Sequence, residues 1–139
     1  MFFGITKTLF DSYITGDTRF YYLSLIRESE YNEIGWSIHG LWPQYSSNSY
    51  PSFCREVNFS IEALKPIMTE LKEHWYSNRE PDADFWQHEY TKHGSCVFTP
   101  LSELQYFTKA LNLFNQAVTL GLPEKYYDEK TGKCLIPVN

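Results

Sequence analysis

The sequence predicts an α+β fold in which a central, mainly antiparallel sheet packs against several helices. Segments with the composition of strands and segments with the apolar spacing of helices occur in one chain. They do not alternate regularly, as the βαβ units of a parallel sheet would. No internal repeat, linker or low-complexity tract divides the 139 residues, a length that suits one core. We therefore interpret residues 1–139 as a single domain.

Two strands are predicted in the first third of the chain. Residues 19–26 read RFYYLSLI, a run of aromatic and aliphatic side chains that is typical of a buried strand. Residues 34–38 form a shorter candidate. Gly40 and Pro43 then predict a turn, which would place His39 at the end of a strand, facing a cleft.

Two helices are predicted in the middle of the chain, after a polar loop over residues 44–53. The first runs from Ser60 to Trp75, where apolar residues recur at helical spacing. After a second polar loop, another helix begins near Asp82 or Asp84, and either carboxylate is a suitable cap.

The last part of the chain predicts a long helix and a strand. Residues 100–120 carry one apolar stripe, with Thr99 as the expected N-cap and a proline at the first helical position. Gly121 and Pro123 are expected to end this helix. Residues 133–138 follow a Thr-Gly turn and have the pattern of a final strand.

Composition limits the classes of function. The chain is 42% hydrophobic and 21% charged, which is typical of a soluble globular protein, and it lacks an apolar run of the roughly 18 residues that span a membrane. The first seven residues are too short and too polar for a signal peptide. A net charge of -5 argues against a stable nucleic-acid binder, although an enzyme that grips one or two phosphates remains compatible with it.

Three of the four histidines fall in two short segments, residues 36–43 (WSIHGLWP) and residues 85–96 (FWQHEYTKHGSC). On a helix, Glu89 and His93 are four residues apart, as are His88 and Lys92. All four side chains therefore share one broad face. Such a face offers a carboxylate, an ammonium and two imidazoles for acid–base chemistry.

Zinc chemistry is disfavoured on this helix. His-Glu resembles the start of an HExxH zinc motif, but Lys92 stands where the second histidine belongs. His88 and His93 lie about 140° apart around the helix, which is unfavourable for joint ligation. We therefore expect no metal and no other cofactor.

Cys96 has two possible roles. The three cysteines leave one unpaired if a disulfide forms. Cys96 lies close to His93 in the sequence and is a candidate nucleophile, or it forms a structural disulfide with Cys54. We favour the disulfide.

The chemistry that remains is metal-free phosphoryl transfer by paired histidines. One histidine takes a proton from the attacking hydroxyl and another gives a proton to the leaving oxygen. No protein nucleophile is needed if the substrate carries its own, as RNA does in its 2′-OH. The rings of Trp42 and Tyr50 are suited to stacking on bases.

These segments resemble the two signatures of the ribonuclease T2 family, the acid, transferase-type endoribonucleases. Residues 39–43 read HGLWP and residues 88–96 read HEYTKHGSC, without mismatch at the key positions. The resemblance covers about residues 20–121 and implies a ribonuclease T2-like fold. Members are generally longer at the C-terminus and carry a signal peptide and more disulfides, so the chain is interpreted as a shortened member.

The resemblance implies a catalytic role for five residues. His39 would be the general acid and His93 the general base. Glu89 and Lys92 would stabilise the pentacovalent transition state, and His88 would contact the phosphate. The residues alone do not distinguish the acid from the base.

The resemblance also implies the substrate and the setting. Trp42 would help to hold the base 5′ to the cleaved bond, and Tyr50 is a second candidate for base binding. We expect a monomer that cleaves single-stranded RNA with low base specificity, through 2′,3′-cyclic phosphates to 3′-phosphates, in a secreted or endolysosomal/vacuolar setting and without a membrane partner. The alternative hypothesis is a binding or signalling protein on the same fold that needs no catalysis.

Overall fold

The predicted α+β class is confirmed by a computed structural model that describes residues 20–28 and 32–139. One antiparallel sheet has the strand order β2-β1-β4-β3. Its strands are β1 (Phe20–Arg27), β2 (Trp36–Gln44), β3 (Tyr127–Asp128) and β4 (Lys133–Val138). The interpretation of the first seven residues, and the predicted start of a strand at Arg19, lie outside the described residues.

The sheet has one face that is packed and one face that carries the cavity described below. Leu23 and Leu25 alternate along β1 and are buried, as is Ile136 of β4. They belong to one apolar cluster with the long helix, to which Phe107 and Phe114 contribute fully buried rings. The alternation of strand side chains thus separates a core face from an open face.

The predicted end of the second strand at His39 is wrong, because β2 continues through Gly40 and Pro43 to Gln44. In the described part of the chain β2 is an edge strand, where proline is tolerated because one side of the strand needs no ladder donors. The pairing register skips His39, since Ser24 faces Gly40 and Leu25 faces Ile38. An extra residue of this kind is a β-bulge, not a turn.

The first predicted helix is divided into two parts. A 3₁₀ helix spans Ile61–Ile67 and contains Pro66, and the α-helix α1 follows over Met68–His74. Proline lacks the amide hydrogen that an α-helical interior requires, so the tighter turns precede the regular helix. Ser60 stands at the N-cap without a side-chain cap hydrogen bond.

The second predicted helix is confirmed as α2 (Asp82–Lys92), but its expected cap is not. Pro81 is the N-cap residue, and the Asp82 carboxylate accepts instead from the backbone N–H of Ser77. Asp82 and Asp84 lie in the first turn, where negative charge stabilises a helix. A 3₁₀ turn over Gly94–Cys96 follows.

The long helix α3 (Glu103–Thr119) begins later than predicted. Ser102, not Thr99, is its N-cap and forms a capping box with Gln105, which satisfies two backbone N–H groups at once. Gly121, with φ of 70°, follows the end of α3 as expected, whereas the predicted stop at Pro123 lies inside a short helix α4 (Leu122–Tyr126). No helix in the described ranges is long and apolar enough to span a membrane.

Candidate active site

The seven site residues predicted from the sequence line one cavity of about 380 Å³ on the open face of the sheet. The bulge of β2, helix α2 and the loop after β2 contribute to it. Its lining includes His39, Trp42, Tyr50, His88, Glu89, Lys92 and His93. The four polar side chains predicted to share one helical face line this same cavity, three of them from α2 and His93 from its C-cap.

The bulge explains how β2 presents both of its functional side chains. In a regular strand, two residues three positions apart point to opposite faces. His39 and Trp42 are such a pair, yet both line the cavity, while Ile38 and Leu41 are fully buried in the core. The additional residue at His39 shifts the alternation by one and brings the imidazole and the indole to the same face.

Two contacts support the bulge. The indole N–H of Trp75 donates to the backbone carbonyl of His39 at 3.1 Å, so this carbonyl is satisfied by a side chain at the site of the irregular pairing. Gly40 follows, and a Cβ there would collide with the Glu89 carboxylate and the Trp42 indole. Glycine is therefore required by close approach of the site's own side chains.

The Trp42 indole is central to the site. It stacks on the His93 ring with centroids 5.1 Å apart, and it meets the His39 ring edge-on at 5.1 Å. Its N–H donates to Glu89 Oε1 at 2.9 Å. One side chain therefore contacts both candidate acid–base histidines and orients the carboxylate.

His93 is kept neutral by its surroundings. Its side chain lies at the end of α2, and the residue is only 5% exposed. Burial, followed by the charge of Lys92 and the neighbouring His88 and His39, lowers its pKa to about 3. Its buried Nδ1 has no hydrogen-bond partner among the described residues. A neutral imidazole in this position is able to accept a proton.

Glu89 and His39 form a loose pair with shifted pKa values. Burial raises the pKa of Glu89 to about 7, although the hydrogen bond from Trp42 and the charge of Lys92 oppose the shift. Burial is also the largest cause that lowers the pKa of His39, with His88, Lys92 and Arg79 adding to it. Glu89 Oε2 lies 3.9 Å from His39 Nε2. The His39 side chain remains 43% exposed, so a substrate can reach it.

The loop that carries Tyr50 is tied to the end of α2. The structure forms the predicted disulfide between Cys54 and Cys96, so Cys96 is not a free nucleophile. The N–H of Phe53 donates to the Lys92 carbonyl at 2.8 Å, and that of Cys54 to Ser95 Oγ at 3.0 Å. Tyr50 itself is 51% exposed, with its ring centroid 6.1 Å from that of His93.

A second cavity, of about 490 Å³, adjoins the first and shares His39, His88 and Glu89 with it. The loop before α2 contributes Asn78 and Arg79 to its lining. The catalytic candidates therefore stand between two concave spaces, an arrangement that suits a substrate with a group on each side of the reacting bond.

Several lining residues were not predicted from the sequence: Tyr22, Gln44, Ser47, Asn48, Lys133 and Leu135. The alternation in the two strands indicates which of these residues share a face, but not that β4 lies beside β1. His74, the histidine outside both motifs, packs near Phe114 with ring centroids 5.3 Å apart and does not line either cavity. No group of three or more metal-ligating side chains within the described ranges is arranged to hold an ion.

Comparison with known proteins places this geometry in a family. The sequence model of the ribonuclease T2 family matches residues 12–126. Ribonuclease DdI of Dictyostelium discoideum is 40% identical over 82 residues, which cover 58% of this chain and 37% of that protein. Ribonuclease 1 of Arabidopsis thaliana is 35% identical over 100 residues, covering 69% and 44%. The chain thus spans less than half the length of these relatives.

Solved structures show the same fold. Ribonuclease MC1 from bitter gourd seeds superposes with a TM-score of 0.63 at 24% identity, covering 76% of this chain and 62% of that one. RNase NT in complex with 5'-AMP superposes with a TM-score of 0.62 at 27% identity, covering 79% and 62%.

Proposed function

Because the chain belongs to the ribonuclease T2 family, we propose that it is a metal-independent endoribonuclease that cleaves single-stranded RNA by transphosphorylation. The observation that carries the proposal is the pair of histidines, His39 and His93, brought into one cavity with Glu89 and Lys92. This set contains an acid, a base and charge-stabilising groups. It lacks a protein nucleophile, which the substrate's 2′-OH would replace.

In the first step His93 acts as the general base. It accepts the proton of the 2′-OH as that oxygen attacks the adjacent phosphorus. The lowered pKa of His93 supports this role, because the ring is neutral over most of the acidic range. The new bond closes a five-membered ring between the 2′ oxygen and the phosphorus.

His39 acts as the general acid. It gives its proton to the 5′ oxygen as the bond between that oxygen and the phosphorus breaks. The products are a 2′,3′-cyclic phosphate and a free 5′-OH. Water then replaces the leaving group and the two histidines exchange roles, so slow hydrolysis of the cyclic ester yields the 3′-phosphate.

Glu89, Lys92 and His88 stabilise the transition state. The phosphorane gains negative charge on its non-bridging oxygens, and the ammonium of Lys92 offsets that charge. Glu89 has a raised pKa of about 7, so at acidic pH it carries a proton. A protonated carboxyl can donate a hydrogen bond to a phosphorane oxygen instead of repelling it. His88 contacts the phosphate from the same helix.

Bases are held by stacking. Trp42 uses its N–H on Glu89 and one ring face on His93, so only the rest of its ring is left for a base, and Tyr50 offers a half-exposed ring to the same cavity. Stacking tolerates any base, which favours low base specificity. The nucleotide complex of RNase NT, a structural relative, is consistent with a nucleotide site in this fold. We propose that the chain acts as a monomer in an oxidising compartment, where the Cys54–Cys96 disulfide persists.

Three alanine variants and a chelator test this function. A defined single-stranded RNA is incubated with wild type, His39→Ala, His93→Ala and His74→Ala, with and without EDTA, and the product ends are read by mass spectrometry. We expect cyclic phosphate ends from wild type and His74→Ala, unchanged by EDTA, and strongly slowed cleavage by the other two. Removing a general acid or base lowers the rate by about 10²–10⁴-fold.

Two outcomes contradict the proposal. Cleavage at the wild-type rate by His39→Ala or His93→Ala would exclude the acid–base pair. Loss of activity with EDTA would exclude the metal-independent mechanism. The non-catalytic alternative predicts instead that an inactive, folded His93→Ala protein retains the biological effect of wild type.

A further inference from the structure

We propose that Lys133 binds a second phosphate of the RNA, one nucleotide away from the scissile phosphate, so that the site recognises a chain and not a single linkage. The proposal rests on the ribonuclease function above. It adds a binding residue from β4, which is remote in sequence from both histidine motifs.

The sheet places Lys133 on the substrate side of the molecule. Leu135 pairs with Ser24, which pairs on its other side with Gly40 of the bulged strand. Lys133 lies two residues before Leu135 and therefore shares its face. Both side chains line the main cavity together with Tyr22 of the intervening strand. The cavity thus extends across three strands, from β2 to β4.

Lys133 approaches the cavity from a strand that lies two places away in the sheet from β2, the strand of His39. The backbones of β2 and β4 are two strand spacings apart, roughly 10 Å. Lys92 and Lys133 are the two lysines that line the cavity, and they come from α2 and from β4 respectively. One ammonium is therefore available for the scissile phosphate and a separate one for the next.

The charge of Lys133 is available for a ligand. The chain has a net charge of -5, so it repels RNA on average, and a cation in the cavity provides a local site of attraction. Within residues 20–28 and 32–139, the ion pairs are His39–Glu89 and Lys65–Glu62, and Lys133 belongs to neither. The cavity that it lines contains one carboxylate, Glu89, and its cross-strand partner Asp128 forms no ion pair with it within the same ranges. A phosphate is the anion that an RNA substrate brings to this place.

Lys130 provides a matched control. It lies in the same β3–β4 hairpin and is exposed, but it lines a different cavity, with Arg27 and Tyr127. If Lys133 acts only through the general charge of the hairpin, removal of either lysine has the same effect. If it contacts a phosphate, only Lys133 matters.

The test compares Lys133→Gln, Lys133→Arg and Lys130→Gln with wild type on two substrates. KM is measured for a dinucleotide, which has one phosphodiester, and for a longer single-stranded oligonucleotide. We expect Lys133→Gln to raise KM for the oligonucleotide about threefold more than for the dinucleotide. A change of this size corresponds to the free energy of one exposed ion pair. Lys133→Arg should keep most of the difference in KM that wild type shows between the two substrates. Lys130→Gln should have the KM values of wild type.

Binding is measured separately from catalysis. A fluorescent 2′-O-methyl oligonucleotide cannot be cleaved by 2′-OH attack, and its anisotropy reports the dissociation constant at several salt concentrations. Affinity falls as salt rises, so the slope of log affinity against log salt is negative. For Lys133→Gln, this slope should become shallower by about 0.7, the contribution of one phosphate contact on a single strand. Lys130→Gln should leave the slope unchanged.

The outcomes separate the two proposals. Absence of cleavage by wild type, with binding and the Lys133-dependent slope intact, would contradict the catalytic function alone. Equal effects of Lys133→Gln on both substrates, equal effects of the two glutamine variants, or an unchanged salt slope would overturn the role of Lys133.

Discussion

His39 and His93 differ in their surroundings, and this difference separates their proposed roles. His93 is buried with a pKa of about 3, whereas the His39 side chain is 43% exposed and has a pKa lowered from 6.5. A base must be unprotonated and an acid must be protonated. Between the two pKa values the base is unprotonated while the acid still holds its proton.

The pH profile of kcat/KM should therefore be bell-shaped, with a maximum on the acidic side of neutrality. Activity rises as His93 loses its proton, around pH 3, and falls as His39 loses its proton, below its ordinary pKa of 6.5. A rate that still increases through neutral pH would contradict this assignment.

Arg79→Gln distinguishes the acid from the base. The charge of Arg79 helps to lower the pKa of His39 and is not among the causes that lower the pKa of His93. Its removal should move the alkaline limb of the profile to higher pH and leave the acidic limb in place. Movement of the acidic limb instead would make His39 the base.

Glu89 should make folding stability depend on pH in a direction unusual for a carboxylate. Its pKa is raised from 4.5 to about 7 in the folded protein, so the folded state binds the proton more tightly than the unfolded state. This contribution is complete below about pH 4.5 and is lost as the pH rises through about 7.

The change Glu89→Gln tests this dependence. Since glutamine stays neutral, the variant should exceed wild type in unfolding free energy at pH 8 by at most about 3 kcal/mol, and the gap should close near pH 4. Urea unfolding at both pH values measures it, with the exposed Glu129→Gln as the control. A constant difference between Glu89→Gln and wild type at the two pH values would contradict the raised pKa.

At the scale of elements, the sequence and the structure give different N-cap residues for α3. The sequence predicts a cap at Thr99, but the side chain of Ser102 accepts from the N–H of Gln105, and the Gln105 side chain accepts from the N–H of Ser102. We expect Ser102→Ala to lower the free energy of unfolding by about 1 kcal/mol. Thr99→Ala should change it by less than about 0.5 kcal/mol, as surface substitutions do. Denaturant unfolding distinguishes them, and equal effects would reject the cap at Ser102.

The elements show which features of this fold can be predicted from sequence. The apolar stripe over residues 100–120 locates α3, because burial of one face forces a helical period, and the turn before residue 133 locates β4. Local signals mislead where tertiary contacts decide. Gly40 and Pro43 indicate a turn by themselves, yet the glycine is needed for close approach of Glu89 and the proline lies in an edge strand.

In the candidate site, too, the sequence predicts what depends on local spacing and does not predict what depends on tertiary packing. Helical spacing was sufficient to bring the polar residues of α2 onto one face, because four-residue steps are geometry internal to a helix. Spacing does not reveal that Trp42 lies between His39 and His93, since that depends on how β2 and α2 pack. Nor does it bring Lys133 to the cavity, which needs the pairing of β4 with β1.

At the scale of the molecule, the disulfide ties the loop that follows the first motif, through Cys54, to the C-terminal end of the second motif at Cys96. Cys134 is separate: it is buried, and its thiol donates to the Pro123 carbonyl at 3.4 Å. Burial and the nearby Glu124 raise its pKa to about 11, which disfavours the reactive thiolate.

Alkylation under three conditions should count these cysteines. Iodoacetamide should leave the native protein unlabelled at neutral pH, label Cys134 alone in denaturant, and label all three cysteines after reduction in denaturant. Mass spectrometry of the intact chain gives the number of labels. Labelling of Cys54 or Cys96 before reduction would show that the disulfide is absent.

The bulge at His39 has a consequence for how this chain can diverge. Substitutions change what a strand carries, but an insertion or deletion changes which side every later residue faces. If this segment paired regularly at its present length, His39 and Trp42, which are three positions apart, would lie on opposite faces of the sheet. Descendants of this sequence that keep the chemistry must therefore keep the irregular pairing at His39, or change the length of the segment when they lose it.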